Sequence, residues 1–180
     1  MNANRVTRLL TNTRGAAVIE MALIAPVLAL GVIGIVDVSN AYSRKLALEQ
    51  GAQRAIEKIM NTTETSTVEA TLANEVQCQV NGSSTTSGVT TCNTSPTQTI
   101  TVTWRLDCTD SGGGVTTQTT TTSATYDAFT CPTGTVSQAR YVQVNVTDKY
   151  SPLFPIHFGS NYSTSDSTYH ISATAGVRTS

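Results

Sequence analysis

The sequence RGAAVIEMALIAPVLALGVIGIV, residues 14–36, sets the architecture of the chain. Residues 16–36 form an apolar run of about 21 residues, which as a helix rising 1.5 Å per residue spans a hydrocarbon core of about 30 Å. The one charge in the run is Glu20, and a carboxylate at a bilayer centre costs about 2.5–3.5 kcal/mol. The run contains no partner for it. A cut after Gly15 would create one, the new amino group of Ala16.

The residues before this run are basic. Arg5, Arg8 and Arg14 lie in residues 1–15, which contain no acid. Because positive residues stay on the cytoplasmic side, we predict the N-terminus inside and the chain after about Asp37 outside. Without the leader, the chain has 8 basic and 12 acidic residues, a net charge of −4. With the only basic cluster in a short leader, the sequence argues against a nucleic-acid-binding protein.

An ordinary secretory signal is an alternative interpretation of the same run. Such a signal has a shorter apolar core than 21 residues and ends at a small-x-small cleavage site. The tripeptide ALG at residues 29–31 offers a weak site of this kind. Release of a secreted domain by signal peptidase therefore stays open at this point.

The four cysteines all lie in the predicted exterior part: Cys78, Cys92, Cys108 and Cys131. They form no CxxC pair and no cluster with histidine, so we predict no metal site. An even number of cysteines in an exported polar domain favours disulfides, and four cysteines permit three connectivities. We favour Cys78–Cys92 and Cys108–Cys131, because each pair brackets a segment rich in Gly, Ser and Thr. The other two connectivities stay open.

A helical pattern continues beyond the apolar run. One helical face carries Ala41, Leu48, Ala52, Ala55 and Ile59, and is broadened by Tyr42, Leu46, Ile56 and Met60. This spacing predicts a single helix over residues 16–60, about 65 Å long, with its first half in lipid and its second half under a globular head. Pro26 predicts a kink or loosening of that helix. Gly31 and Gly34 lower helix propensity and allow close approach of a neighbouring helix. The alternative, that proline and glycine are simply tolerated in a membrane helix, stays open.

After residue 60 the spacing of the apolar residues changes. Residues 61–67 are predicted to end the helix and link it to a short second helix over 68–76. Alternation of apolar and polar residues then predicts strands over 99–106, 141–146 and 171–177, and a hairpin or loop over 110–123. Trp104 falls on the inward face of the first strand. The fold class is therefore predicted as α+β, an antiparallel sheet of at least three strands packed on the long helix.

The N-terminal motif resembles the prepilin-peptidase site of type IV pilins and pseudopilins. Residues 14–20, RGAAVIE, have a glycine before the cleaved bond and a glutamate as the fifth residue after it. TadE/TadG-like proteins of the tight-adherence (Tad/Flp) pilus system show similar sequences at residues 21–28, 34–37, 140–146, 151–155 and 171–178. The resemblance covers residues 14–58 and 139–178 and is absent over 77–135.

The resemblance implies that prepilin peptidase cuts after Gly15 and that Ala16 becomes the mature N-terminus. Glycine has no side chain to obstruct an approaching intramembrane protease. Glu20 of an incoming subunit would pair with the Ala16 amine of a subunit already assembled, and breaking such a buried pair costs about 3–5 kcal/mol. The family's aromatic residue after the glutamate is replaced by Met21. This replacement and the large exterior domain argue for a minor pilin or pseudopilin.

Together these features predict three regions: a leader (1–15), a transmembrane and amphipathic helix (16–60) and an extracytoplasmic head with disulfide-tied loops (61–180). We expect a single-pass protein of the bacterial inner membrane that is incorporated in the pilus. Its expected partners are prepilin peptidase, other pilin or pseudopilin subunits, the inner-membrane assembly platform and membrane lipid. We expect no cofactor, nucleic acid or small-molecule substrate.

No residue constellation indicates an active site, so we predict a protein that is not an enzyme. His157 and His170 are interpreted as surface or packing residues, and Asp37 as an interfacial charge at the membrane exit. The alternative function is an uncleaved, membrane-tethered module whose exterior β-domain binds a ligand.

Overall fold

The computed structural model describes residues 13–61, 66–154 and 161–179. Within them the chain is α+β, with a long N-terminal helix and an antiparallel sheet, as the sequence predicted. The leader residues Arg5 and Arg8 lie outside the described residues, as does most of the predicted linker. So do Pro155 and His157.

Helix α1 runs without a break from Thr13 to Asn61, 49 residues that extend about 73 Å at 1.5 Å per residue. It continues through Pro26 and begins before the predicted start at Ala16. Helix α2 (Ser66–Asn81) is longer than the predicted segment 68–76.

The remaining elements form a hairpin, a short helix and the main sheet. Their bounds are β1 (Ser83–Thr86), β2 (Val89–Cys92), β3 (Thr99–Asp110), β4 (Val115–Thr120), α3 (Ser123–Asp127), β5 (Thr135–Tyr150), β6 (Tyr162–Ser163) and β7 (Thr168–Arg178). In the main sheet the strand order is β4-β3-β5-β7-β6, and every neighbouring pair is antiparallel. The Gly/Thr-rich segment 110–123 thus supplies a hairpin, β3 to β4.

The inward face of the sheet follows the predicted alternation. In one row across the three long strands, Trp104 is opposite Val142, and Val142 is opposite Val177. Trp104 and Val142 are buried, and Val177 packs against them at the edge of the core. Cross-strand pairs of aromatic and β-branched residues stabilise such a surface, which explains why these sequences form strands.

Helix α1 covers this face with a narrow stripe of side chains. Four residues of the predicted face are buried, together with a fifth from its predicted edge: Leu48, Ala52, Ala55, Ile59 and Ile56. The prediction was wrong for Tyr42, Leu46 and Met60, which are exposed. At about 100° per residue these three lie about 120° or more around the helix from Leu48, beyond the reach of the sheet.

Two disulfides tie the head, and they are the pairs that the sequence favoured. Cys78–Cys92 joins α2 to β2. Cys108–Cys131 joins β3 to the segment before β5, and Cys108 is part of the buried core. Because both bonds connect different elements, each limits how far the head can open in its unfolded state.

Gly51 marks the closest approach between α1 and α2. A Cβ atom at this position would lie 2.5 Å from Cγ2 of Val80, whereas one at Gly31 would meet no described atom within 4 Å beyond adjacent residues and the helix's own backbone. We expect Gly51→Val to lower the free energy of unfolding of the head by about 1–3 kcal/mol, since overpacking forces side chains and backbone apart. Gly31→Val is the matched control.

Thermal unfolding in detergent, followed by the fluorescence of Trp104, measures this difference. An unchanged melting temperature for Gly51→Val would mean that the two helices are not held together at this point.

Candidate functional site

The predicted processing bond lies inside helix α1. The helix begins at Thr13, so the backbone is already helical at Gly15 and Ala16. Glycine in a helix interior costs about 1 kcal/mol relative to alanine, so the helix opens more easily at Gly15 than at the alanines that follow. A protease needs such an opening to reach the backbone of the bond that it cuts. The use of Gly15 and Ala16 as the cleavage site stays a prediction.

Glu20 stands on a helix surface that the rest of the chain leaves uncovered. Every side chain over residues 17–32 is exposed. Among the side chains described, at residues 17–61, 71–154 and 161–179, none forms an ion pair with Glu20. Any cation that neutralises it therefore comes from outside this set. The predicted pairing with an Ala16 amine needs a second chain and stays a prediction.

The membrane-length part of α1 is strongly apolar. Its most apolar window of 18 residues has a mean hydropathy of 2.4, and none of that window is buried in the head. The helix is thus long and apolar enough to cross a membrane, which supports membrane anchoring. An apolar surface of this extent needs lipid or other helices to cover it.

Gly31 and Gly34 open a shallow groove in this surface. Apart from adjacent residues and the helix's own backbone, no atom of the described chain lies within 4 Å of where a Cβ would be at either position. The groove is lined by Leu30, Gly31, Gly34, Ile35, Val38, Ser39 and Tyr42. Small residues of this kind let another helix approach closely in a membrane. The packing role of Pro26, Gly31 and Gly34 is not used within the single chain and stays a prediction.

Asp37 connects the helix to the end of β5. Its carboxylate accepts hydrogen bonds from the hydroxyl of Tyr150 at 2.8 Å, from the backbone N–H of Leu153 at 2.9 Å and from that of Phe154 at 3.1 Å. The interpretation of Asp37 as an interfacial charge was therefore incomplete. It holds the loop that follows β5 against the point where the apolar run ends.

The electrostatics of this contact agree with its geometry. Asp37 is the first residue after the apolar run, outside the predicted membrane-spanning segment. The N–H of Leu153 lowers the pKa of Asp37, and the donors of Tyr150 and Phe154 contribute in the same direction while burial opposes them. Burial raises the pKa of Tyr150, so its hydroxyl remains a donor at neutral pH. The carboxylate is thus held in its charged, accepting form.

A second contact, about two helical turns further along α1, joins three elements. Arg44 pairs with Asp148 of β5, with 2.6 Å between Nη2 and Oδ2 and 2.7 Å between Nε and Oδ2. The same guanidinium donates to the side chain of Asn81 at 3.0 Å, at the end of α2. Asp148 is 2% exposed at its side chain and also accepts from the hydroxyl of Thr97 at 2.6 Å. We call Arg44, Asp148, Asn81 and Thr97 the junction.

Both contacts could have been predicted from the sequence, because their charged residues fall at positions that face the core. Asp37 and Arg44 alternate with Ala41 and Leu48 at steps of four, three and four, so they lie on the stripe that faces the head. In β5 every second residue faces the core, and Asp148 is the next inward residue after Val146. A charged residue in a buried stripe needs a partner, so these positions predict an ion pair across the interface.

The histidine of the described chain makes a surface contact. His170 lies 2.9 Å from the carboxylate of Asp166, which also pairs with Lys149 at 2.8 Å. This supports the interpretation of His170 as a surface residue. The described residues contain no group of three or more His, Cys, Asp or Glu side chains placed to hold a metal ion.

We expect Asp148→Ala to lower the free energy of unfolding by about 3 kcal/mol, because it leaves the partly buried Arg44 without its carboxylate. Glu49→Ala is the control. It removes an exposed pair with Lys45, 3.7 Å apart, and should change stability by less than about 0.5 kcal/mol.

Urea unfolding of the full chain in detergent gives both values. The double variant Arg44→Met with Asp148→Leu should recover much of the loss, since the uncompensated charge is then gone. Equal effects of Asp148→Ala and Glu49→Ala would show that the junction does not stabilise the interface.

Comparison with known protein families gives a match to the family described as TadE-like protein, over residues 15–56. The match begins at Gly15, covers the apolar run and ends within the stripe that packs on the sheet. Comparisons with curated proteins and with solved structures found no match. From Gly15 to Ile56, over most of its N-terminal helix, the chain is therefore similar to TadE-like proteins, as its sequence motif indicated.

Proposed function

We propose that this chain is a minor pilin or pseudopilin of a tight-adherence type IV pilus. Prepilin peptidase removes the leader after Gly15, and the mature chain enters the pilus through its apolar helix. The protein is not an enzyme; it acts by assembly. It spans the bacterial inner membrane once, with the N-terminus in the cytoplasm and the head outside, before incorporation near the base or the tip of the fibre. Its role is to initiate assembly, with adhesion as the second possibility.

The observation that carries the proposal is the uncovered apolar helix within a TadE-like match. The match starts at the very glycine that the motif assigns to the cleaved bond. The most apolar window of the helix is not buried in the head, and its groove at Gly31 and Gly34 suits another helix. A surface that needs covering, next to a processing motif, favours lateral assembly over simple anchoring.

Glu20 supplies the register in this proposal. Cleavage gives Ala16 a positive amine only four residues from the carboxylate, so each chain carries one charge of each sign near its membrane end. Pairing Glu20 of one chain with the Ala16 amine of the next shifts neighbouring chains along the axis by a fixed step. In a medium of low dielectric constant a mispaired register leaves two charges without partners, which disfavours it strongly.

The mature N-terminus is the first quantity to measure, by mass spectrometry of the protein from native membranes. We expect a start at Ala16 that is lost in cells without prepilin peptidase. We also expect Gly15→Leu to block the cut, whereas Gly31→Leu leaves it intact. An intact Met1 in wild-type cells would favour the tethered binding module, and a start near Val32 would favour a secreted domain.

Glu20→Ala tests the assembly step separately. The change leaves the cleaved bond untouched, so we expect normal processing but little of the protein in sheared pili, and fewer pili. Glu49→Ala is the control, because Glu49 lies on the same helix outside the membrane and pairs only weakly with Lys45. Normal pili in the Glu20→Ala strain would overturn the role assigned to this carboxylate.

One observation favours the tethered binding module as a second candidate. The outer face of the sheet, away from the helices, has a concavity lined by Arg105, Tyr141, Gln143 and Arg178 among others. The Arg105 guanidinium lies over the Tyr141 ring at 4.6 Å from its centre. Although Arg105 is already paired with Asp107 at 2.8 Å, two arginines in one concavity on a head of net negative charge suit an anionic ligand. An uncut N-terminus would make this site the more important surface.

A further inference from the structure

An exposed apolar tip lies at the end of β5. After Tyr150 the chain turns through residues 151–154, and the side chains of Leu153 and Phe154 are 63% and 39% exposed. Two neighbouring large apolar residues at the tip of a polar head need a reason, because single exposed residues are common but contiguous ones mark contact surfaces.

The contact with Asp37 fixes where this tip lies. The backbone nitrogens of Leu153 and Phe154 are 2.9 and 3.1 Å from the Asp37 carboxylate. Asp37 follows the apolar run directly, only about 1.5 Å further along the helix axis than Val36. The polar interface of a bilayer adds about 5–7 Å to each side of the hydrocarbon core. With the helix spanning the membrane, the tip is therefore level with this interface.

We propose that residues 152–154 insert into the outer surface of the membrane in which α1 is anchored, with phospholipid as their partner. The side chains of Leu153 and Phe154 contact the acyl chains just below the head groups. The inference rests on the membrane anchoring in the proposed function but not on processing or pilus assembly.

The hydrogen bonds of the tip favour lipid over water as its surroundings. Backbone N–H groups that enter a water-poor layer need acceptors within the protein. Asp37 supplies acceptors to both Leu153 and Phe154, so this part of the backbone carries its own partners into the interface. The Tyr150 hydroxyl donates to the same carboxylate. Tyrosine and other aromatic residues are typical of this layer of a membrane.

Tryptophan fluorescence in vesicles tests the contact on the full chain. Leu153→Trp places a reporter at the tip, and the native Trp104, which is buried in the head, gives a constant background. Val136→Trp is the control at an equally exposed valine near the far end of β5. Its 14-residue separation from Tyr150 places it about 45 Å away at about 3.3 Å per residue. Val27→Trp reports on the anchor itself.

Two sets of phosphatidylcholine vesicles are used, because bromine quenches only tryptophan that it contacts. One set has acyl chains brominated near the glycerol end, level with the expected depth of Leu153, and the other has chains brominated near the terminal methyl, level with Val27. We expect a several-fold larger fractional loss of emission for Leu153→Trp than for Val136→Trp, relative to unbrominated vesicles. Quenching of Val27→Trp without quenching of Leu153→Trp would overturn the inference and leave membrane anchoring intact. No quenching of Val27→Trp would overturn both.

A second copy of the chain is the competing occupant of the tip. In that case the Leu153→Trp emission would shift to shorter wavelength as the protein-to-lipid ratio rises, without quenching by bromine, and the lipid contact would be overturned. Adding Asp37→Asn should reduce the quenching of Leu153→Trp, because the amide no longer accepts from both N–H groups. Adding Glu49→Gln should not. Equal quenching in these two variants would overturn the role of Asp37 in holding the tip.

Discussion

The ion pair between Arg44 and Asp148 is the interaction on which the arrangement of helix and sheet depends. An apolar stripe alone lets a helix slide or rotate on a sheet at little cost, since hydrophobic contact has no preferred direction. A nearly buried carboxylate does not allow this, because any shift leaves it without its cation. Asn81 and Thr97 bind the same two side chains, so α2 and the segment before β3 are aligned by the same charges.

Much of this fold could be predicted, because its signals are periodic. The alternation around Trp104 and Val142 identified two central strands and their inward faces. The burial of Tyr42 and Met60 was predicted wrongly, because an apolar pattern shows the width of a stripe and not how much of it a sheet covers. The hairpin from β1 to β2 was missed. Its turn uses Ser87 and Gly88 with positive φ angles of 52° and 78°, a short signal within a polar segment.

The residues of the candidate site also fall into two groups, those that the sequence pattern could have identified and those that it could not. Asp37, Arg44 and Asp148 act within the chain, and their positions in buried stripes could have identified them. The proposed roles of Glu20 and Gly31 are different in kind, because their expected partners are another chain and the membrane. The structure of a single chain shows such residues as exposed whether or not they bind a partner. It therefore describes their surface but not their contact with another chain or with lipid. The family match over residues 15–56 supports the proposal that this surface is used in a pilus.

The unbroken course of α1 through Asp37 and Arg44 has a mechanical consequence. The helix has no joint between its membrane half and its head half, and two sets of polar contacts bind the head to it within about two turns. A rotation of the membrane half about its axis is therefore transmitted to the head as torque. In a helical fibre, the rotation of each α1 about its own axis would determine the direction in which the sheet of the head faces. Packing near the fibre axis would thus determine which face of the head is presented to the surroundings.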